Sequence, residues 1–369
     1  MNICFKPLAA LLCFAALLSQ PRDSSALTLP VVTNAFVTLY ATVTDPEGLT
    51  FAPDGTLYTG RDKSGSGGLN SDAVVINRIG PGGSPVTDFG NTAIRDPDAV
   101  VYDAAGIISG IPGSVIVGGV DTGVNGQLSR IAPDGTVTSL FGPGPLIENP
   151  VKFLFTAPGR LLFTDFNNLN VMEMTDATPR LFITSPDAPF SIAIDGLDRV
   201  LVSSGSASQV RLYSASGVLV SNLFVTAKAR SPLARGPGGL WGTNVFYVST
   251  TGNLRSISPS GLVAEYGTGF DPFEDMVFGP DGALYLSDFN SDAVVRISYQ
   301  PTLIIAPLPG AVQLSWTTNA SGFLLETNRS VALPSGWGVL ASNYSILTTN
   351  YVVTNVTSGS AQFFRLHKP

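Results

Sequence analysis

A repeated pattern is the feature that most constrains the fold of this chain. An apolar segment, a tight turn and a second apolar segment recur at intervals of about 35 to 50 residues. The copies are GLTFAPDGTLYTG from Gly48, AVVYDAAGIISG from Ala99, FLFTAPGRLLFTD from Phe153, SIAIDGLDRVLVSS from Ser191, GLWGTNVFYVST from Gly239 and DMVFGPDGALYLSD from Asp275. The period-two alternation and the Asp-Gly turns are typical of antiparallel hairpins. Charged residues make up only 13% of the chain, and 39 Gly and 27 Pro suit short strands better than long helices.

Further strands follow each copy and decide how the repeats are arranged. A third strand such as QLSRIAPDG (from Gln127) and a fourth such as VTSLFG (from Val137) complete each repeat. The sixth copy lacks its fourth strand. The segment VTLYATVTDP (from Val37) resembles the fourth strands of the other copies and can supply it. A ring closed in this way leaves no sheet edge unpaired at its seam. The sequence therefore predicts an all-β fold, a six-bladed β-propeller over residues 27–300 that the N-terminal strand closes.

Two segments carry a resemblance to a known family. LSDFNSDAVVRI (from Leu286) and FTDFNNLNVMEM (from Phe163) stand where that family has a run of small residue, Asp, two residues, Asn, two residues and an apolar residue. In this the chain resembles the NHL-repeat and gluconolactonase-like six-bladed propellers, over roughly residues 36–300. The resemblance implies the architecture. It leaves the activity open, because the family includes lactonases, lyases, dehydrogenases and binding proteins.

The composition changes after the last repeat. Residues 301–369 form short alternating segments rich in Thr, Asn and Ser, with Trp316 and Trp337 as expected core residues. This pattern predicts a small β-sandwich. It resembles the C-terminal modules of secreted bacterial proteins, which implies a spacer or an attachment role. Asn-x-Ser/Thr sequons stand at Asn319, Asn328, Asn343 and Asn355, and we interpret them as a consequence of composition.

The first 26 residues predict a secretory signal peptide. Lys6 precedes an apolar run, and Ser24-Ser25-Ala26 is a small-residue cleavage site, so cleavage is expected near Ala26. We therefore expect a secreted, extracellular or periplasmic protein without a transmembrane segment. A lipoprotein anchor at Cys13 is the alternative, but Leu12 precedes that cysteine where a small residue is required.

Removal of this segment changes the composition in two ways. Both cysteines of the chain, Cys4 and Cys13, would be lost, so the mature protein would have neither disulfides nor a thiol nucleophile. Two basic residues and one acidic residue leave with it, which takes the net charge from -7 to -8. A chain this acidic is a poor partner for nucleic acid. We expect a monomer that binds a small molecule, a glycan or an extracellular protein.

The acidic residues that open the innermost strands are the candidate site. Aligned on their turns, the copies place Glu47, Asp98, Val151, Phe190, roughly Gly238, and Glu274 at this position. Glu47, Asp98 and Glu274 stand in adjacent blades, and oxygen ligands of this kind favour a hard cation such as Ca²⁺. The resemblance to gluconolactonase-like enzymes implies a metal-ligand role for Glu47. The alternative is that these carboxylates only accept hydrogen bonds from strand ends.

Further candidates belong to the same face. The loops after the second strands add Asp62, Asp121, Asp165 and Asp288, and the connector before the fifth copy adds Lys228, Arg230 and Arg235 as possible anion-binding cations. The Asp-Gly turns, at Asp54, Asp134 and Asp281, belong to the opposite face.

The histidine content limits the chemistry. His367 is the only histidine of the chain and stands next to the C-terminus, where we expect a frayed end. Histidine general bases and common zinc sites are therefore not expected in the propeller. Three hypotheses remain. The first is a binding propeller that uses its acidic mouth, the second a Ca²⁺-dependent lactone or ester hydrolase, and the third a structural cell-surface protein.

Overall fold

The structure is a computed structural model. It describes residues 27–61, 73–120, 125–157, 159–185, 187–223, 226–299, 301–318, 320, 322–331, 336–340, 344–356 and 361–367. The predicted signal segment 1–26 and the candidates Asp62, Asp121, Asn319 and Asn343 lie outside these residues. In the described ranges no helix is both long enough and apolar enough to cross a membrane.

The repeat region consists of short strands. Two precede the first copy: β1 (Val31–Val32) and β2 (Ala35–Thr42). The first two copies form β3 (Pro46–Phe51), β4 (Leu57–Arg61), β5 (Ala73–Ile79), β6 (Val86–Arg95), β7 (Ala99–Asp103), β8 (Ser114–Val120), β9 (Gly126–Ile131) and β10 (Val137–Phe141). The third and fourth form β11 (Pro150–Ala157), β12 (Arg160–Asp165), β13 (Asn170–Met174), β14 (Arg180–Thr184), β15 (Pro189–Ile194), β16 (Val200–Ser204), β17 (Val210–Tyr213) and β18 (Leu219–Leu223).

The last two copies depart slightly from this scheme. They form β19 (Leu233–Arg235), a 3-10 helix (Gly239–Trp241), β20 (Val245–Val248), β21 (Asn253–Ile257), β22 (Val263–Thr268), β23 (Phe273–Phe278), β24 (Leu284–Asp288) and β25 (Ala293–Tyr299). Consecutive strands pair antiparallel, and within the described part of the chain they make six sheets: β3–β6, β7–β10, β11–β14, β15–β18, β19–β22 with β1, and β23–β25 with β2.

Buried apolar clusters join these sheets into a β-propeller. Each sheet shares a cluster with the next one along the chain, and the sixth shares one with the first. Leu57 of the first sheet, for example, packs with Val294 of the sixth, and both are fully buried. Packing of this kind buries both faces of every sheet, which explains why most inner-strand residues are apolar.

The seam of the ring is closed by the predicted N-terminal strand. Strand β2 pairs antiparallel with β25, from Ala35 opposite Tyr299 to Thr42 opposite Ala293. Strand β1 adds a contact that the sequence did not predict, because Val31 and Val32 extend the fifth sheet beside β22. The N-terminal segment therefore bridges two neighbouring sheets.

The Asp-Gly turns have the expected chemistry. In each, the aspartate Oδ1 accepts a hydrogen bond from the backbone N–H two residues later, at 2.9 Å for Asp54, 2.9 Å for Asp134 and 3.0 Å for Asp281. The glycine that follows each aspartate has a positive φ of 76 to 88°. These turns fix the second and fourth strands against their partners.

Two copies differ from the sequence prediction. In the second copy, residues 106–110 are a turn and not the second strand, which is β8. The Asp103 carboxylate holds this turn by accepting four backbone N–H groups, from Gly106, Ile107, Ile108 and Ser109, at 2.8 to 3.3 Å. In the fifth copy, Gly239–Trp241 is the hairpin turn, and the inner strand β19 precedes it. The prediction of Gly238 as an opening residue was therefore wrong.

The described residues between 301 and 367 form two small sheets. The strands are β26 (Ile304–Leu308), β27 (Ala311–Thr317), β28 (Leu324–Asn328), β29 (Gly338–Val339), β30 (Ser345–Leu347), β31 (Asn350–Val356) and β32 (Phe363–His367). One sheet has the order β26-β27-β31-β30 and the other β29-β28-β32. Trp316 is buried between them, whereas Trp337 is half-buried beneath the Arg365 guanidinium, which lies 4.4 Å from the centre of its ring.

Candidate functional site

The innermost strands β3, β7, β11, β15, β19 and β23 surround a central tunnel and all begin at one end of it. We call this the mouth end, and the opposite end, where the hairpins turn, the turn end. At the mouth end, residues near the start of four inner strands enclose a recess of about 10 Å³, enough for roughly one water molecule. Its lining residues are Glu47, Gly48, Val151, Lys152, Phe190, Ser191, Glu274 and Asp275. We call this cavity the mouth recess.

The structure thus brings together two of the three predicted metal ligands. Glu47 and Glu274 both line the mouth recess, and Asp98 does not. Asp98 lies beside it through its backbone, because its carbonyl oxygen accepts a hydrogen bond of 2.9 Å from the Gly48 N–H. The predicted opening residues Val151 and Phe190 are at the recess as well.

An ion pair that the sequence did not reveal crosses the tunnel. Lys152 Nζ, on the third sheet, lies 2.6 Å from Oδ1 and 2.5 Å from Oδ2 of Asp275, on the sixth sheet. The Asp275 carboxylate also accepts the backbone N–H groups of Leu49 and Met276, each at 2.8 Å. Both side chains are nearly buried, with exposed fractions of 12% and 7%. The pair joins opposite sides of the ring next to the mouth recess.

Local register shifts explain how these residues reach the tunnel. The pairing of the first and second strands slips at the mouth end, between Pro150 and Lys152, between Pro189 and Ile192 and between Phe273 and Asp275. The backbone N–H groups at these shifts donate to hydroxyls on the second strand instead. The bonds are Lys152 to Thr164 (3.1 Å), Ser191 to Ser203 (3.0 Å) and Asp275 to Ser287 (3.0 Å). Thr164, Ser203 and Ser287, near the ends of these three second strands, are therefore part of the site's framework.

Burial dominates the electrostatics of Glu274. Desolvation raises the pKa of this carboxyl above its ordinary value, although Lys228 and Arg230 oppose the shift. Lys228 is itself desolvated, which lowers its pKa, and its Nζ donates to the carbonyl oxygens of Asp271 (2.5 Å) and Phe273 (3.2 Å). Glu274 can therefore hold a proton at a pH at which an exposed glutamate has lost it.

The aspartates at the ends of the second strands hold loops at the mouth end. Asp165 is fully buried and accepts the backbone N–H groups of Glu148 (3.1 Å) and Asn149 (2.8 Å), as well as the Asn168 side-chain amide (3.0 Å). Asp288 is also buried and accepts the Ser291 N–H at 3.1 Å. Burial raises the pKa of both carboxyls. These contacts are those of loop anchors.

Two further expectations change. Arg235 ends β19 and lines the tunnel beside Asp198, so it belongs to the turn end and not to the acidic face. Arg235 was assigned to the wrong face because the inner strand of the fifth copy begins earlier in the chain than its apolar residues indicated. His367 is not frayed, because it lies in β32 with Nδ1 3.2 Å from Oε1 of Glu326. It also lines a cavity of about 430 Å³ at the junction with the propeller.

The predicted trio Glu47, Asp98 and Glu274 does not converge at the mouth recess. Within the described residues, no group of three or more His, Cys, Asp or Glu side chains is placed to hold a metal ion. Lys152 lines the same recess as the two glutamates, and its ammonium pairs with Asp275. Ca²⁺ binding stays a prediction, and we derive no chemical step from a metal.

Comparisons with known proteins identify the fold. No protein-family model and no curated protein matches the chain. A gluconolactonase from Xanthomonas campestris is 14% identical, with 76% of this chain and 99% of that chain covered and a TM-score of 0.53. The PQQ-bound aldose sugar dehydrogenase of Streptomyces coelicolor is 13% identical, with 73% and 100% covered and a TM-score of 0.52.

A third similar structure, an auxiliary nutrient binding protein from Bacteroides ovatus, is 12% identical, with 72% and 76% covered and a TM-score of 0.52. Sequence identities this low establish the β-propeller fold alone, because propellers carry many functions.

Proposed function

We propose that the chain is a secreted six-bladed propeller that binds a small hydroxylated molecule, such as a sugar, at its mouth end. The observation that carries the proposal is the Lys152–Asp275 ion pair, which closes the tunnel below Glu47 and Glu274. A closed floor turns a channel into a recess, and a recess with two carboxyl groups can accept and donate hydrogen bonds to one hydroxyl group at a time. The rest of the ligand would lie outside it, towards Lys228 and Arg230.

The chemistry of the recess favours a hydroxylated ligand over a simple ion. A carboxyl oxygen of Glu47 can accept a hydrogen bond, and the raised pKa of Glu274 favours its protonated form, which can donate one, so the pair can serve both functions of a hydroxyl. A bare anion would be repelled by the carboxylates. A bare divalent cation would lie against the Lys152 ammonium.

Calorimetry with aldoses, aldonates and aldonolactones tests this binding. We expect at least one such compound to bind wild type, and Glu47→Gln and Glu274→Gln each to weaken it about tenfold, the usual cost of a hydrogen bond to a charged group. Glu173→Gln, on β13 and paired with Arg160, is the matched control and should bind normally. Equal affinity in all four proteins would overturn the proposal. The absence of any ligand would leave the structural cell-surface hypothesis.

A hydrolase is the second candidate, favoured by the raised pKa of Glu274. A buried carboxyl with a raised pKa holds its proton to a higher pH than an exposed glutamate does, so it can act as a general acid towards a lactone. The gluconolactonase among the similar structures makes lactones the first substrates to test. Proton release from glucono-1,5-lactone should then exceed the spontaneous rate and fall at least a hundredfold in Glu274→Gln. The same assay in Ca²⁺ and in EDTA decides whether a metal takes part.

A further inference from the structure

The tunnel is a second cavity, separate from the mouth recess. It has a volume of about 360 Å³, and all six inner strands contribute to its wall. Most residues of the lining are apolar, and the half-buried Leu154, Phe155, Ile194 and Val277 are among those that keep exposed surface there. Cavities of this size and composition are typical small-molecule sites.

One end of the tunnel is closed. Lys152 lines both the tunnel and the mouth recess, so its ion pair with Asp275 is the partition between them. An occupant of the tunnel must therefore enter from the turn end. The tunnel is a blind, apolar pocket, and its function is independent of the function proposed for the mouth end.

The open end carries two exposed charged residues. Arg235 is the last residue of β19. Its guanidinium lies against Gly196: a Cβ atom added to this glycine would be 3.8 Å from Nη2 of Arg235. Gly196 and Asp198 belong to the same turn. Both Arg235 and Asp198 line the tunnel. Within the described residues neither forms an ion pair, whereas the nearby Asp195 and Arg199 pair with each other at 2.6 Å. Arg235 is therefore a guanidinium at the entrance of an apolar pocket.

We propose that the tunnel binds an elongated apolar molecule with a terminal carboxylate, of which medium-chain fatty acids are the simplest examples. The apolar chain lies along the inner strands, and the carboxylate pairs with Arg235 at the entrance. A guanidinium suits this role because its N–H groups match the two oxygens of a carboxylate. Asp198 acts against the anion and limits the affinity.

Chain length is the first test. Calorimetry with saturated fatty acids from hexanoate upwards should show the affinity rising about fourfold per methylene group, the gain from burying one CH₂. The rise should stop once the chain fills the tunnel. Decanol and decyltrimethylammonium have the same chain without the carboxylate and should bind at least tenfold more weakly than decanoate. Equal binding of the three compounds, a rise without a plateau, or no binding at all would overturn the proposal.

Two substitutions at the entrance test the charge. Arg235→Gln should weaken decanoate binding at least tenfold, and Asp198→Asn should strengthen it, because one removes the attraction and the other the repulsion. Both residues are exposed, so both variants should fold. Arg180→Gln, an exposed arginine away from the tunnel, is the matched control. Decanoate affinity unchanged in Arg235→Gln would refute the assignment, whereas Arg180→Gln should leave it unaltered.

Discussion

Lys152 and Asp275 show what single residues contribute to this ring. Each is followed by apolar residues of an inner strand, in KFLF (from Lys152) and DMVF (from Asp275), and each is nearly buried. A buried ion pair adds little net stability over an apolar pair of the same volume, because both charges lose their hydration. Its effect here is positional, since it holds opposite sides of the ring at a fixed separation and closes the tunnel.

Removing one member of this pair should be costly. In Lys152→Met the Asp275 carboxylate keeps two backbone N–H donors but loses its counter-charge, so we expect about 3 to 5 kcal/mol of destabilisation. The double variant Lys152→Met/Asp275→Asn should recover part of this loss. Arg180→Met, which breaks an exposed pair with Asp176, should leave stability nearly unchanged. Denaturant unfolding measures all three, and similar losses for Lys152→Met and Arg180→Met would contradict the bridging role.

Glu274 should make stability depend on pH in a defined direction. Its pKa is raised in the folded protein, so the folded state holds the proton longer than the unfolded state does. The unfolding free energy should therefore fall as the pH rises from the ordinary glutamate pKa through the folded-state value. Glu274→Gln should remove this fall. Asp176→Asn is the control of opposite sign, because the pKa of Asp176 is lowered and its contribution is lost as the pH falls. A wild-type profile that matches Glu274→Gln would refute the shift.

At the level of elements, the sequence predicted what local patterning determines. Hairpins with an Asp-Gly turn, such as β3–β4 and β23–β24, have the expected strands, and the pairing of β2 with β25 follows from counting strands. The strand positions predicted for the second and fifth copies were wrong because each copy has an apolar turn with the composition of a strand. Residues 106–110 are apolar but are held as a turn by Asp103, and β19 is too short to give an alternating pattern.

The candidate site was predictable only in part for a related reason. Glu47 and Glu274 could be found because they open inner strands, a position that an alignment of the copies reveals. The Lys152–Asp275 contact could not, because it joins residues 123 positions apart and depends on closure of the ring. The signal available for it was the charge of each residue within an apolar strand.

Strand β2 can be tested against β1, which is a natural control. Deleting residues 27–42 removes the fourth strand of the sixth sheet and exposes the edge of β25, so we expect loss of cooperative folding of the whole ring. Deleting residues 27–33 removes only β1, an addition to a sheet that already has four strands, and should lower the melting temperature by a few degrees. Circular dichroism melts measure both.

A synthetic peptide of residues 35–43 extends this test. Added to the chain without residues 27–42, it should restore a cooperative transition, since the missing backbone partners of β25 are then supplied from outside. A chain that melts like wild type without β2 would show that the seam does not depend on this strand.

For the whole molecule, the two ends of the tunnel have different neighbours. The C-terminal sheets approach the turn end, where Asp281, Leu240 and Tyr299 line the junction cavity together with Phe323 and His367. None of the residues that line the mouth recess lines this junction cavity. This matches the direction of β25, which runs away from the mouth. Ligands can therefore reach Glu47 and Glu274 without displacing the C-terminal sheets.

A chain that ends at Tyr299 should remain folded. The ring keeps all of its sheets, and the main loss is the contact of half-buried Leu240 with the C-terminal sheets, worth roughly 1 kcal/mol and thus about 2 to 4 °C in melting temperature. Scanning calorimetry should show the main transition at nearly the wild-type temperature. Loss of that transition would mean that the C-terminal sheets are part of the propeller's folding unit.

The closure of the ring by β2 also sets the order in which the chain can become stable. The hydrogen bond from the Thr38 hydroxyl to the Arg296 carbonyl oxygen spans 258 positions. During synthesis, β2 is made first and has no partner until β25 follows, almost the whole repeat region later. Contacts of such long range slow folding, and in the meantime both strands expose edges that can pair wrongly. We therefore expect the closure of the seam to be a slow final folding step. A chaperone that shields strand edges should help the chain most just before this step.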